Sequence, residues 1–346
     1  MLTLADALEA LTQSRPEMPN LVITEAAIDS RQVIPGGMFI AIPGEKVDGH
    51  DFVKQAFQRG AVVALIEHEI DEPCALIDLR NGHPADGLTR LSLPVCVLVE
   101  NSVTALQQIA AFWRRKLNLR VIGITGSVGK STTKEAIAQV LSQRYKTLRS
   151  VGNLNNEIGL PLSVLKLTTG HQYAVLEMGF YVPGEITLLC EIARPQVGVL
   201  TNIGTVHAER AGSQEVIAQG KGELVEALPA APVGVAILNY DDALIRPMNK
   251  RTKARVFYYG LDPAADLWAD EVESMGLEGI RLRLHTKKET LYLHVPMIGH
   301  HSVETVLRAA AVGLVEKLTW DEIARGLQES QAQLRLVAVR AESGAL

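Results

Sequence analysis

Hydrophobic and polar positions fall into two textures along the chain. Over residues 1–99, short apolar runs at Met38–Ile42, Ala61–Ile66, Cys74–Leu79 and Val95–Val99 are separated by Gly, Pro and Asp. Runs of that length between turn formers predict buried strands. One segment with helical period, Phe52–Arg59, is closed by Gly60, a plausible C-terminal cap. Leu79–Pro94, with Asn81-Gly82-His83-Pro84, reads as a loop. Together these predict a small α/β domain.

From about Asn101 the pattern becomes strand, turn and helix in repetition. Strands are predicted at Arg120–Ile124, Tyr173–Leu176, Val197–Leu200 and Val235–Leu238, with helices at Lys134–Ser142, Pro183–Ile192 and Ser213–Leu228. Continuous apolar strands alternating with amphipathic helices imply a mostly parallel sheet covered on both faces. Alternating strands follow at Gly279–Leu284 and Thr290–Val295, then helices at Ser302–Val315 and Trp320–Leu327. Each of the four apolar strands runs into polar residues: Thr125, Glu177, Thr201-Asn202, and Asn239 with Asp241-Asp242. In an open parallel sheet those ends share the edge where ligands bind.

Composition narrows the partners. The 346 residues are 47% apolar and 21% charged with a net charge of −5, values of a globular chain of two or three domains. A protein bound mainly to phosphate backbones is usually basic, so nucleic acid is not expected. Cys74, Cys96 and Cys190 are too scattered for a disulfide framework or a zinc site and are expected to be reduced. The N-terminus lacks a basic start, and no apolar run approaches 18 residues. A cytoplasmic protein without membrane insertion is the expectation.

The sharpest chemical signal is Gly123-Ile124-Thr125-Gly126-Ser127-Val128-Gly129-Lys130-Ser131-Thr132, between a strand and a helix. Glycines let backbone N–H groups turn inward to phosphate oxygens, and the helix start adds its positive dipole end. Lys130 would reach the β- and γ-phosphates, and a Ser131 or Thr132 hydroxyl would bind Mg²⁺. The leading glycine sits one residue early for the general pattern, so the reading rests on the Thr-Gly-x-x-Gly-Lys-Ser core. The plain alternative is an ordinary strand–helix turn.

Other polar positions each carry two readings. Glu177, at a strand end, suits Mg²⁺ or a helix cap. His207, in the loop after Thr201-Asn202, is as readily structural as functional. His300-His301 are weaker candidates of the same kind. Lys221 falls in the apolar stripe of Ile217, Gly220, Leu224 and Leu228, so its ammonium must snorkel, pair with an acid or change its charge state. Asn153, Asn155 and Asn156 crowd a loop that either simply turns or binds substrate oxygens.

In combination these segments resemble the Mur ligase family, the ATP-dependent amide-forming enzymes of peptidoglycan synthesis. The resemblance is carried by Thr125–Glu135, Gly152-Asn153-Leu154-Asn155-Asn156-Glu157-Ile158-Gly159, Leu176-Glu177-Met178-Gly179, Thr201-Asn202-Ile203-Gly204 with His207, and Lys221-Gly222-Glu223. In the first domain Asp29-Ser30-Arg31, Pro35–Phe39 and Asp48-Gly49-His50 extend it. The asparagine loop and the Glu-Met-Gly triplet favour the member that adds D-alanyl-D-alanine to UDP-N-acetylmuramoyl-tripeptide.

The resemblance implies a UDP-sugar-binding domain over 1–99, with Ser30, Arg31, Asp48 and His50, and also Asn155 and Asn156, as substrate contacts. It implies a central domain over 100–332 binding ATP through Thr125, Gly126, Ser127, Val128, Gly129, Lys130, Ser131, Thr132 and Asn239. Mg²⁺ would be held by Ser131, Glu177, His207 and Lys221, the last as a CO₂-derived carbamate; Lys130, Lys221 and His207 would serve catalysis. The tripeptide carboxylate would attack the γ-phosphate of ATP, and the D-alanyl-D-alanine amine would then displace phosphate from the acyl phosphate.

Two departures stand out. Where the family often shows Gly-x-His-Asn-x-x-Asn, this chain has Gly299-His300-His301-Ser302-Val303-Glu304-Thr305. Residues 333–346 read as the stub of a further C-terminal ligase domain, so the expectation is a monomer that binds both nucleotides and ligates poorly alone. The competing readings are a non-catalytic ATP- and UDP-sugar-binding module, and an unrelated P-loop kinase, which would leave Lys221 and the first domain unexplained.

Overall fold

The computed structural model describes residues 1–80, 92–204 and 213–329. Helices run over Leu4–Thr12 (α1), Val53–Gln58 (α2), Ser102–Lys116 (α3), Lys130–Ser142 (α4), Gly159–Leu165 (α5), Glu185–Ala193 (α6), Gln214–Glu226 (α7), Ser302–Val315 (α8) and Trp320–Gln328 (α9). Strands in the N-terminal part are Ala26–Ala27 (β1), Met38–Ile40 (β2), Val63–Ile66 (β3), Ala75–Asp78 (β4) and Val95–Leu98 (β5). Those that follow are Arg120–Thr125 (β6), Thr147–Arg149 (β7), Tyr173–Glu177 (β8), Val197–Leu200 (β9), Val235–Asn239 (β10), Arg255–Gly260 (β11), Leu267–Ser274 (β12), Ile280–Thr286 (β13) and Thr290–Val295 (β14).

The first unit comprises Met1–Leu119, Leu154–Gly170 and Glu191–Arg194. Its sheet has the order β1-β2-β3-β5-β4, with every pairing parallel. β2, β3 and β5 are buried at every position, which is why their sequences are unbroken apolar runs. The unit reaches beyond the predicted 1–99 because α3 belongs to it. Asn101 caps that helix by accepting from the Thr104 N–H at 2.8 Å. At its far end, Trp113 Nε1 donates to the Leu167 carbonyl, and the Arg114 guanidinium to those of Ala193, Leu117 and Leu119. Burial lowers the Arg114 pKa to about 10. Three carbonyl dipoles keep that cation hydrogen-bonded out of water.

The second unit comprises Arg120–Asn153, His171–Cys190 and Pro195–Leu346. Its nine-stranded sheet has the order β14-β13-β12-β11-β10-β9-β6-β8-β7. It is parallel from β7 through β12 and antiparallel over β12–β14. α4, α8 and α9 cover one face over a core that includes Ile122, Ile124, Ile137, Val199, Val306 and Leu327. α7 packs against β6 and β9. The chain turns from β6 to β8 and β7 on one side and to β9 on the other, so the C-terminal end of β6 is the switch point where open sheets bind ligands. Among the described residues no helix is long and apolar enough to cross a membrane.

Candidate active site

β6 delivers the chain to that switch point. Its last residue, Thr125, turns its hydroxyl inward to donate to the Met178 carbonyl at 2.9 Å. Gly126 has φ +145°, and a Cβ there would stand 1.8 Å from Thr201 Oγ1, so only glycine fits. Gly129, at φ +82°, is the N-cap of α4. The loop between is moored to the residues after β9. The Ser127 N–H donates to the Asn202 carbonyl at 3.0 Å, and the Val128 N–H to Asn202 Oδ1 at 2.9 Å. The Thr201 hydroxyl donates to the Val128 carbonyl at 2.7 Å.

The anion-facing groups are thereby narrowed. The Ser127 and Val128 amides are engaged with Asn202, whereas the first bond inside α4 is from Thr133 N–H to the Gly129 carbonyl. The N–H groups of Lys130, Ser131 and Thr132 therefore make up the helix opening, where the peptide dipoles favour an anion. Lys130 Nζ curls over this opening, donating to the Gly126 carbonyl at 2.9 Å and weakly to that of Ser127 at 3.4 Å. Burial lowers its pKa, and the Glu177 charge works in the opposite direction.

Glu177 closes β8, next to β6 in the sheet. It is almost fully buried, and its Oε2 accepts from the Ser131 hydroxyl at 2.8 Å. A carboxylate and a hydroxyl at that separation form a hard-oxygen pair, the donor chemistry that Mg²⁺ selects.

Lys221 lies on the buried face of α7. It is 3% exposed, so its ammonium does not snorkel, and among the described residues no carboxylate lies within ion-pair distance of it. Its Nζ rests 5.1 Å from the centre of the Phe180 ring. Burial, and secondarily the Lys130 charge, bring its pKa down to about 7. Among the described residues the ammonium meets neither water nor an acid, and its burial favours the neutral form.

Asn239 ends β10 and is buried; its Oδ1 accepts from the Asp241 N–H at 3.0 Å, shaping the turn. Asp242 in that turn accepts from the Ile203 N–H at 3.3 Å. His207 and residues 333–346 lie outside the described residues.

Asn202, read in the sequence as a strand end and as part of a family-like segment, moors the glycine loop before α4. A further contributor escaped the sequence reading of function. Arg308, on α8, is 2% exposed. It donates to Tyr259 Oη at 2.8 Å, the Thr201 carbonyl at 3.0 Å and, weakly, Thr133 Oγ1 at 3.3 Å, and pairs with Glu304. Its signal was present, a cation inside the apolar run Val306-Leu307-Arg308-Ala309-Ala310.

The remaining candidates belong to the first unit. Asp29 and Asp48 each open a short 3-10 turn by accepting from the backbone N–H two residues on. Ser30 is buried and donates to Gln55 Oε1 at 2.6 Å, while Arg31 is exposed and pairs with Asp29 at 2.8 Å. His50 is buried between two partners: Nδ1 lies 2.6 Å from Asp48 Oδ1, and Nε2 accepts from the Glu67 N–H at 2.8 Å. That pairing fixes the neutral tautomer protonated at Nδ1. His68 stacks on the ring at 3.9 Å and reaches Asp48 Oδ2 at 3.4 Å. The backbone and side-chain hydrogen bonds from His50 lower the Asp48 pKa to about 2. Asn156 Oδ1 accepts from the Gly159 N–H at 2.8 Å, capping α5, and Asn155 lies beside it in the same loop.

Comparison with known proteins places this geometry. Residues 124–313 match the model of the Mur ligase middle domain, and residues 22–88 that of the Mur ligase family, catalytic domain. The UDP-N-acetylmuramoyl-tripeptide–D-alanyl-D-alanine ligase of Bacillus subtilis is 34% identical over 335 residues, covering 96% of this chain and 68% of that protein. The Synechocystis enzyme of the same name is 35% identical over 306 residues, 88% of this chain and 61% of its own. The chain thus spans about three-fifths to two-thirds of the length of these relatives. Among solved structures, MurF from Acinetobacter baumannii superposes with a TM-score of 0.81 at 31% identity, covering 98% of this chain and 70% of that one. MurF from Thermotoga maritima in complex with ADP gives 0.74 at 26% identity, covering 90% and 67%. Alongside a strand-end glycine loop, a serine–carboxylate pair and a buried lysine, the match of both family models and of these relatives shows that this protein belongs to the Mur ligase family.

Proposed function

We propose that this chain supplies the nucleotide-binding and UDP-sugar-binding parts of an ATP-dependent peptide ligase. The ligase would join D-alanyl-D-alanine to UDP-N-acetylmuramoyl-tripeptide, as the names of its relatives describe. The observation that carries the reading is the convergence of Lys130, the Ser131–Glu177 pair and buried Lys221 at one sheet edge. The second unit binds ATP, with the triphosphate at the opening of α4 and Lys130 neutralising charge as the phosphoryl group transfers.

The donor set fits Mg²⁺: Ser131 Oγ and the Glu177 carboxylate would hold it, with His207 as a further ligand. Bound Mg²⁺ would neutralise phosphate charge and orient the γ-phosphoryl group. With a pKa near 7, Lys221 carries a large neutral fraction at neutral pH, and that amine is the form that attacks CO₂. Attack forms an N–C bond and releases a proton, leaving a carbamate whose oxygens add a ligand to the same pair. The tripeptide carboxylate attacks the γ-phosphorus, giving ADP and an acyl phosphate. The D-alanyl-D-alanine amine then attacks the acyl carbon, forming the amide and releasing phosphate.

The first unit takes the UDP end through the Asp29–Arg31 and Asp48–His50 turns. The enzyme acts in the cytoplasm as a monomer. Calorimetric titration of the 346-residue chain with a non-hydrolysable ATP analogue plus Mg²⁺, and separately with the UDP-sugar-tripeptide, tests the assignment. Two independent binding events are expected; absence of either removes the corresponding half of the reading.

A further inference from the structure

Lys221 sits on a helix that is gripped from several directions, and one grip ties it to the strand end that bears Glu177. Glu223, two residues on, is half-buried and accepts three hydrogen bonds from the start of α6. Its Oε1 takes the Gly184 N–H at 2.7 Å, and its Oε2 the Thr187 N–H at 2.9 Å and the Thr187 hydroxyl at 3.0 Å. A carboxylate there also meets the positive end of the α6 dipole.

The segment between Glu177 and α6 is short. It is trussed by Glu185, whose Oε2 accepts from the Tyr181 and Val182 N–H groups at 2.5 and 3.0 Å. It carries Phe180, the ring beneath the Lys221 ammonium. That ring presses so closely on α7 that a Cβ on Gly220 would lie 1.9 Å from it. On another side of α7, Arg251 covers Gly222, donating to the Gln219 carbonyl at 2.9 Å and to Ala218 at 3.3 Å.

We infer that Glu223 is a positioning residue, which fixes Lys221 relative to Glu177 by clamping α7 to the segment leading from β8 into α6. The inference rests on the proposed nucleotide–Mg²⁺ site. Glu223 does not touch the reacting atoms; it acts through the placement of two groups that do.

Glu223→Gln keeps the shape but turns an amide NH₂ toward backbone donors. The test is the affinity of the 346-residue chain for a non-hydrolysable ATP analogue, measured by calorimetry across a Mg²⁺ series and in EDTA. Loss of an outer partner should weaken apparent Mg²⁺ affinity about 10-fold, with Mg²⁺-free affinity held within about twofold. Thr187→Val, which removes one donor and leaves the carboxylate, should move Mg²⁺ affinity the same way by a smaller factor. It keeps the question open to measurement if the glutamine variant does not fold. Wild-type Mg²⁺ affinity in the variants, or an equal loss with and without Mg²⁺, overturns the positioning role. A wild-type chain whose nucleotide binding ignores Mg²⁺ overturns the site itself, and the inference with it.

Discussion

Replacing Lys221 by methionine should stabilise the protein at neutral and mildly acidic pH and lose that advantage as the solution becomes alkaline. The side chain is 3% exposed, and burial holds its pKa near 7 against an ordinary 10.5. The sign follows from proton counting. Above pH 7 the folded lysine has shed its proton while the unfolded one keeps it, so the unfolded state binds more protons and stability rises with pH. The slope is about 1.4 kcal/mol per pH unit between the two values, and the full cost of holding the cation below pH 7 is on the order of 5 kcal/mol. Contact with the Phe180 ring returns about 2 kcal/mol of that for a desolvated cation. Methionine, similar in length and uncharged, avoids the cost at every pH. The assay is the urea midpoint of the wild type and Lys221→Met from pH 6.5 to 9.5 in CO₂-free buffer. The two curves should lie well apart at pH 6.5 and converge toward pH 9.5. Parallel curves would mean that the ammonium reaches water, and the argument for a neutral, CO₂-reactive amine would fail.

Other substitutions probe the same edge. Gly126→Ala drives a Cβ to 1.8 Å from Thr201 Oγ1 in a backbone conformation that alanine resists. The expected loss is about 2–4 kcal/mol of nucleotide binding, roughly 30- to 1,000-fold, read by calorimetry; unchanged affinity would show that the loop is not the phosphate site. Glu177→Gln should abolish the Mg²⁺ dependence of ATP-analogue binding while sparing the Mg²⁺-free affinity, since Lys130 and the opening of α4 remain. Arg308→Met leaves the Thr201 carbonyl and the Tyr259 hydroxyl short of a buried donor. Urea unfolding should report a loss of about 3 kcal/mol. Arg308→Lys should recover only part of it, because an ammonium cannot span the forked partners.

The parts of the site that could be read in the sequence are those whose chemistry and period coincide. The phosphate loop announces itself because a strand, two glycines, a lysine and a helix follow in order. Glu177 and Asn239 stood out as polar ends of apolar strands. Lys221 stood out because a cation at the buried phase of a 3.6-residue repeat must snorkel, pair or change its charge state, and only its burial in the fold removes the first of these. Arg308 carried the same signal unrecognised, because its meaning depends on β11, β9 and α4 meeting at Tyr259, Thr201 and Thr133. Asn202 was legible as a strand end and in a family-like segment, but its mooring role needs the distance to Ser127 and Val128. The helix α3 was missed despite its capping Asn101 and the spaced Leu106, Ile109, Ala110 and Trp113. Its domain could not be inferred locally, because α5 comes from residues more than forty positions away. In β12 only Leu267 and Ala269 are buried and the strand then runs into Asp270, Glu271 and Glu273, so its apolar pattern is diluted. The edge strand β7 has only three residues, none of them buried.

The buried cations suggest why an acidic chain can hold a highly charged anion. Lys130, Lys221 and Arg308 are placed around one loop, and the first two are held below their ordinary pKa by burial. For the two lysines such an arrangement is costly to fold, since each loses water without an ion pair among the described residues, whereas Arg308 is paired with Glu304. The same cost is preorganisation for a ligand: a triphosphate would meet donors already desolvated and fixed, and little reorganisation would remain at the moment of transfer. Folding strain and binding strength are then two faces of one arrangement. In CO₂-free buffer below pH 7, ligand should therefore raise the unfolding midpoint of the wild type by more than that of Lys221→Met at equal free ligand concentration, because binding relieves a cost the variant never had. Equal shifts would separate Lys221 from the anion site and leave its burial as packing alone.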